Sequence, residues 1–141
     1  MRSLPQVALA NDDGTVVCEH CLLAETMFAR LRGLLGRKGL AEGEGMLLRP
    51  ASSIHTAFMR FAIDAVFVDK ENRVVKVAPE IRPWRAAACR GARAVLELPA
   101  GEAERRGIRP GVSLTQVWRS DPASRRRSQA PAVSTRHDVA V

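Results

Sequence analysis

The stretch SSIHTAFMRFAIDAVFVD, residues 52–69, holds two apolar runs, with a His at 55 and an Asp at 64. Its β-branched and aromatic content predicts two buried strands, 52–59 and 64–69, joined through Arg60 to Ile63. Alternate residues of a strand share a face, so His55, Ala57 and Met59 point one way and Ile54, Thr56 and Phe58 the other. In a simple hairpin Met59 pairs near Asp64 and His55 near Val68. His55 and Asp64 then lie two pairs apart, beyond the ~2.6–3.2 Å that a general-base pair needs. Only a sharp bend would bring them together. Both residues are costly in a core unless something satisfies them. The plainer reading has Asp64 capping a turn or pairing with Arg60, and His55 bonded to a backbone carbonyl. The functional reading makes His55, Thr56, Met59, Arg60 and Asp64 the lining of a polar pocket for a small anionic or polar ligand.

Working outward, QVALAN (6–11) and TVVCEH (15–20) read as strands around the turn Asp12-Asp13-Gly14. In LLAETMFARLRGLLG (22–36), Leu23, Met27, Leu31, Leu34 and Leu35 recur at helical spacing, which predicts a helix docked on a sheet. GMLLRP (45–50) is a strand stopped by Pro50, and residues 70–73 turn the chain into the strand VVKV (74–77). Pro79 and Pro83 mark an irregular segment carrying Trp84. RAVLELP (93–99) is a strand, GEAERRGI (101–108) one or two helical turns, and VSLTQVW (112–118) a last strand after Pro110-Gly111. Many short strands with few helices predict an α+β, mainly β domain: a small sandwich or partly closed barrel, with one helix packed on it and a short second one. It is too helix-poor for a parallel sheet with alternating crossovers. Residues 1–118 form the expected single domain. Residues 119–141, rich in Arg, Ser, Pro and Ala, lack apolar periodicity and read as a disordered tail.

Charge and cysteines narrow the classes. The net charge is +7, but residues 1–118 carry 17 basic and 13 acidic side chains, so the domain is only mildly basic. No aromatic-interleaved basic strand or binding motif is recognisable, so a nucleic-acid partner is not expected. No run approaches the ~20 apolar residues of a membrane span. SLPQVALAN (3–11) is too short and too interrupted by Pro5 and Gln6 for a signal peptide. Three Cys fit a reducing compartment better than a disulfide framework, and a cytoplasmic protein is expected.

RLRGLLGR (30–37), GMLL (45–48), IHTAFMRFAIDAVFVD (54–69), VVKV (74–77) and LELPAGEAERRGIRPG (97–112) resemble, in order and spacing, the domain-of-unknown-function 192 family. The resemblance covers most of residues 14–118. It implies a compact β-rich domain with a helix near its start. It implies no reaction.

Three further features carry possible chemistry. Cys18 and Cys21 are spaced to chelate a metal such as zinc or to form a disulfide, but a structural zinc needs four ligands, which Cys89 and His20 or His55 would have to complete. Ordinary thiols are the plainer reading. Arg30, Arg32, Arg37 and Lys38, interleaved with Gly33, Gly36 and Gly39, suit anion recognition, yet they also suit a plain helix end. Trp84 between Arg82 and Arg85 could stack on a planar ligand or act as a lid over the sheet. The sequence therefore favours a module that binds a small ligand or a protein, around His55, Thr56, Met59, Arg60, Asp64 and Trp84. The alternatives are a hydrolase- or lyase-type enzyme with His55 as general base, and a metal-stabilised or redox module at Cys18 and Cys21. No nucleophile motif or carboxylate pair accompanies His55.

Overall fold

The computed structural model describes residues 5–26 and 38–117. The expected tail, Trp118, most of the expected first helix and its arginines at 30, 32 and 37 lie outside the described residues. Nine strands and one helix are described: β1 (Gln6–Ala10), β2 (Val16–Ala24), β3 (Glu44–Leu48), β4 (Ser53–His55), β5 (Ile63–Val68), β6 (Val74–Ile81), β7 (Ala86–Ala88), β8 (Ala94–Pro99), α1 (Glu102–Arg105) and β9 (Thr115–Val117). The fold is mainly β, as expected. Seven strands form one sheet in the order β6-β5-β8-β3-β2-β1-β9, and β4 and β7 form a separate two-stranded ribbon. The sheet does not close into a barrel. At one end, however, residues 111–114 return to the start of β6 through bonds such as Val74 N–H to Val112 O (2.8 Å) and Leu114 N–H to Asn72 O (2.8 Å).

The central strands are apolar on both faces because both faces are covered. All six residues of β5 are buried. Val66, Val68, Leu96 and Leu98 face one core with Leu9, Val17 and Leu47. Ile63, Ala65, Phe67 and Val95 face a second core with Met46 and Leu48, which Ile54 and Ala87 of the ribbon cover. Lys76 anchors the ribbon to β6 by donating to the Ala88 carbonyl at 2.8 Å.

Three expectations change. Residues 52–59 and 64–69 do not form a hairpin. β4 is three residues long and pairs with β7, placing His55 opposite Ala86, whereas β5 pairs with β6 and β8. The chain breaks after His55 because Thr56 is tied to residues 82–85 and Phe58 adopts a left-handed backbone (φ 66°). The expected helix also does not begin at residue 22: Leu22 to Ala24 continue β2, whose partner β3 runs parallel to it. The expected VVKV strand extends to Ile81 and takes in Pro79, which the irregular segment was to contain.

α1 has Gly101 at its N-cap (φ 90°) and no cap from its own side chains. Its far end is fixed by Arg106, which pairs with Glu19 of β2 (2.8 Å) and Glu102 (3.0 Å) and donates to the Val16 carbonyl (3.2 Å). The Arg106 hydrogen bond holds the Glu19 carboxyl below its ordinary pKa. A carboxyl lowered in this way stabilises the fold above the ordinary carboxylate range, and that contribution fades as pH falls through the lowered value. Arg106→Gln is therefore expected to lower Tm by several degrees at neutral pH. The gap from wild type should narrow below about pH 4, read by thermal unfolding at both pH values.

Candidate functional site

Of the six residues expected around a pocket, the structure brings five to one end of the ribbon and sets Asp64 apart. Thr56 is the hub of that end. Its hydroxyl donates to the Arg82 carbonyl (2.6 Å) and accepts from the Arg85 N–H (2.8 Å). Its own N–H donates to Arg85 O (2.8 Å), and its carbonyl accepts from the N–H groups of Trp84 (3.0 Å) and Met59 (3.2 Å). Thr56 is fully buried, so its polar atoms serve the backbone and not a ligand. Met59 is buried in the core behind it, and Arg60 is exposed.

The hub holds a feature that the sequence does not announce. Phe58 and Trp84 both have left-handed backbones, with φ of 66° and 63°. For bulky residues this conformation costs about 1–2 kcal/mol each. Their rings nevertheless meet edge to face, with centroids 4.8 Å apart. Phe58 is 67% and Trp84 61% exposed. Trp84 is therefore not a lid packed over the sheet. Neither ring lines any described cavity.

Asp64 stands elsewhere, buried in β5. One carboxylate oxygen accepts the Glu80 N–H at 2.9 Å, and the other accepts those of Gly101 (3.0 Å) and Ala103 (2.9 Å). It caps α1 from a neighbouring strand, supplying the acceptor that Gly101 lacks. Asp64 thus belongs to the frame, and its partners are backbone groups, not Arg60.

His55 is exposed and lines a cavity of about 600 Å³ beside the ribbon, with Pro50, Ser52, Ser53, Ile54 and Ala86 to Ala88 among its walls. Small side chains at 52, 53 and 86–88 leave room over the ribbon. The sequence gives no sign of this cavity, because its walls meet only through the β4–β7 pairing. His55→Ala is expected to leave Tm within about 2 °C, since an exposed ring contributes little to stability. Thermal unfolding checks this.

Cys18 and Cys21 are closer than their spacing implies. Residues three apart in a strand normally face opposite sides, but β2 bulges against β1 between the pairs Val7–Cys21 and Leu9–Cys18. Both thiols then enter the same core and are fully buried. Each donates to a main-chain carbonyl, Cys18 to Gly43 (3.6 Å) and Cys21 to Leu22 (3.8 Å), and the interaction of the two side chains lowers the Cys18 pKa and pushes Cys21 well above its usual value. Among the described residues, no three or more His, Cys, Asp or Glu side chains converge as a metal site. Cys18→Ser with Cys21→Ser is expected to lower Tm by several degrees whether or not metal binds, because hydroxyls replace buried thiols. The discriminating measurement for the metal reading is whether a chelator lowers the Tm of the unaltered protein. Two buried acids escaped notice in the sequence: Glu97 in β8, and Glu102, which pairs with Arg105 and Arg106.

Comparison with known proteins follows the same outline. Residues 8–116 match the family model DUF192, described as an uncharacterised ACR. The chain belongs to the DUF192 family. A relative named UPF0127 protein, from Thermococcus sibiricus, is 34% identical over 93 residues. That match takes in 62% of this chain and 60% of the relative's length. A crystal structure from Sinorhizobium meliloti, described as a candidate transcription regulator, superposes with a TM-score of 0.72 at 22% identity. It covers 82% of this chain and 97% of its own, and at that identity it shows the fold alone. A protein of unknown function from Novosphingobium aromaticivorans has a TM-score of 0.67 at 28% identity, covering 79% and 84% of the two chains. No helix among the described residues is long and apolar enough to cross a membrane.

Proposed function

We propose that this DUF192 domain is a binding module whose small ligand sits in the cavity beside the β4–β7 ribbon. His55 is its one titratable contact among the described walls. The observation that carries the reading is the cavity itself: about 600 Å³, within the range of small-molecule sites, with backbone and small side chains around one imidazole. The roles of the expected residues divide accordingly. His55 contacts the ligand; Thr56 and Met59 hold the end of the ribbon in place; Asp64 braces the frame at α1; Arg60 and Trp84 lie outside the cavity walls. Residues 1–118 make up the domain on this reading, and 119–141 a tail outside it. The free thiols support a cytoplasmic setting.

Native mass spectrometry of the full chain, purified with reductant and without chelator, tests the cavity. A co-purified organic mass in the unaltered protein, lost in the cavity-filling variant Ala88→Trp, supports the reading. A ligand that the variant retains places the site elsewhere. A bare chain that no compound of a fragment panel protects against thermal unfolding removes the reading.

A further inference from the structure

Charge in the described residues is segregated, not absent. They carry thirteen basic and thirteen acidic side chains. Yet the two segments that build the ribbon and its flanks, 49–63 and 81–96, hold six of the basic residues and no Asp or Glu. All six are arginine: Arg49, Arg60, Arg82, Arg85, Arg90 and Arg93, and all are exposed. None pairs with a carboxylate of the described residues, whereas Arg105 and Arg106 are paired with Glu19, Glu42 and Glu102. Arg60, Arg82 and Arg85 flank the Phe58–Trp84 pair in sequence. Arg90 and Arg93 follow the ribbon at its other end, and Arg49 lines a surface hollow with Arg93.

We propose that this surface binds single-stranded nucleic acid, with the Phe58 and Trp84 rings stacking on bases and the ribbon arginines contacting phosphates. The reading is independent of the cavity ligand. Three features select the partner. The first is that the two segments carry six exposed arginines and no carboxylate, an excess that calls for a polyanion. The second is the use of arginine alone, whose planar fork matches phosphate and stacks on aromatic groups. The third is a pair of rings held outward at a backbone cost, on a surface that is not a groove. Exposed rings beside cations are the combination that sequence-tolerant single-strand binding employs. The sequence shows Trp84 between two arginines but not its pairing with Phe58, because the two rings become neighbours only through the hub at Thr56. Asp64 is buried and bonded to backbone N–H groups; the exposed acids bordering the two segments are Glu80, next to Ile81, and Glu25, which shares the hollow of Arg49 and Arg93.

The test is fluorescence anisotropy of the full chain with a labelled oligothymidylate of about 20 nucleotides, long enough for a ~4–16-nucleotide site. Binding should be stronger than to a duplex of the same length, which hides its base faces. Phe58→Gly with Trp84→Gly removes the rings while suiting the left-handed backbone, and should weaken binding by about tenfold or more. Arg60→Ala with Arg82→Ala should lower the steepness of the salt dependence by about 0.7 for each phosphate no longer neutralised. Arg109→Ala, an exposed arginine outside the two segments, should change neither. Circular dichroism confirms that the variants are folded. Three outcomes overturn the proposal: no binding at low salt; equal binding by the ring and arginine variants, which would assign it to charge elsewhere such as the five arginines of 119–141; or binding to phosphatidylglycerol vesicles with none to the oligonucleotide.

Discussion

Asp64→Asn is expected to lower Tm by roughly 10 °C or more, and Asp64→Ala to leave the domain largely unfolded. The carboxylate accepts three backbone N–H groups, one on one oxygen and two on the other. An asparagine offers a single oxygen. If it faces Gly101 and Ala103, its own N–H₂ meets the Glu80 N–H. If it faces Glu80, two donors at the start of α1 lose their acceptor. A buried donor left unmade costs about 1–3 kcal/mol, and about 1 kcal/mol shifts Tm by roughly 4–8 °C in a domain of this size. Alanine strands all three donors, a loss of about 3–9 kcal/mol that rivals the ~5–15 kcal/mol of a whole domain. Thermal unfolding by circular dichroism reads the effect. A residue kept for ligand chemistry would behave oppositely, since relieving a functional site is often neutral or stabilising. An Asp64→Asn variant that melts with the wild type would return Asp64 to the candidate site.

That assignment also shows where sequence reasoning stops. The polar interruption at 64 was visible, and so was its cost. Its partners were not, because Gly101 and Ala103 lie 37 and 39 residues away and contribute main-chain groups. No side-chain pattern marks a backbone N–H. Strand positions fared better than strand pairing. β1, β3, β5, β8 and the turn at 110–111 fall where apolar runs and turn residues put them. The register of 52–59 against 64–69 failed, since alternation fixes which residues share a face but not which strand lies alongside. A tight connection at Arg60 was plausible locally. The native chain instead spends a left-handed Phe58 and a buried Thr56 to send β4 to β7, about thirty residues on. The same limit hid the site. The cavity wall at 86–88 and the Phe58–Trp84 pair arise only from that long-range pairing. Cys18 and Cys21 are a local example: their spacing was noticed, but the bulge that puts both on one face leaves no trace in composition.

Gly45→Ala is the second substitution expected to cost the domain heavily, by about 2–3 kcal/mol or more, at the upper end of overpacking. Gly45 lies in β3 between Cys21 of β2 and the end of β8. A methyl group there would stand 2.8 Å from the Cys18 sulfur, 2.9 Å from the Glu97 carbonyl oxygen and 3.0 Å from Leu98 Cδ2. Two of these are side-chain atoms that could shift, although both residues are buried. The third is main chain of a strand held in register by the pairs Met46–Glu97 and Leu47–Leu96. Relief there requires β3 and β8 to separate, which weakens the sheet at its centre. A double-mutant cycle with Cys18→Ala apportions the strain. Removing the sulfur should recover part of the loss, and Gly45→Ala should remain destabilising in the Cys18→Ala background because the Glu97 carbonyl is still there. A neutral Gly45→Ala would contradict the close approach of the three strands. The same crowding bears on the thiols. The Cys18 sulfur lies against the β3 backbone, so a metal ion or an oxidant reaches it only when β2 and β3 part. Reaction of Cys18 and Cys21 with a thiol reagent should therefore be slow in the wild type and faster in Gly45→Ala, with rates that follow local opening of the strand pair.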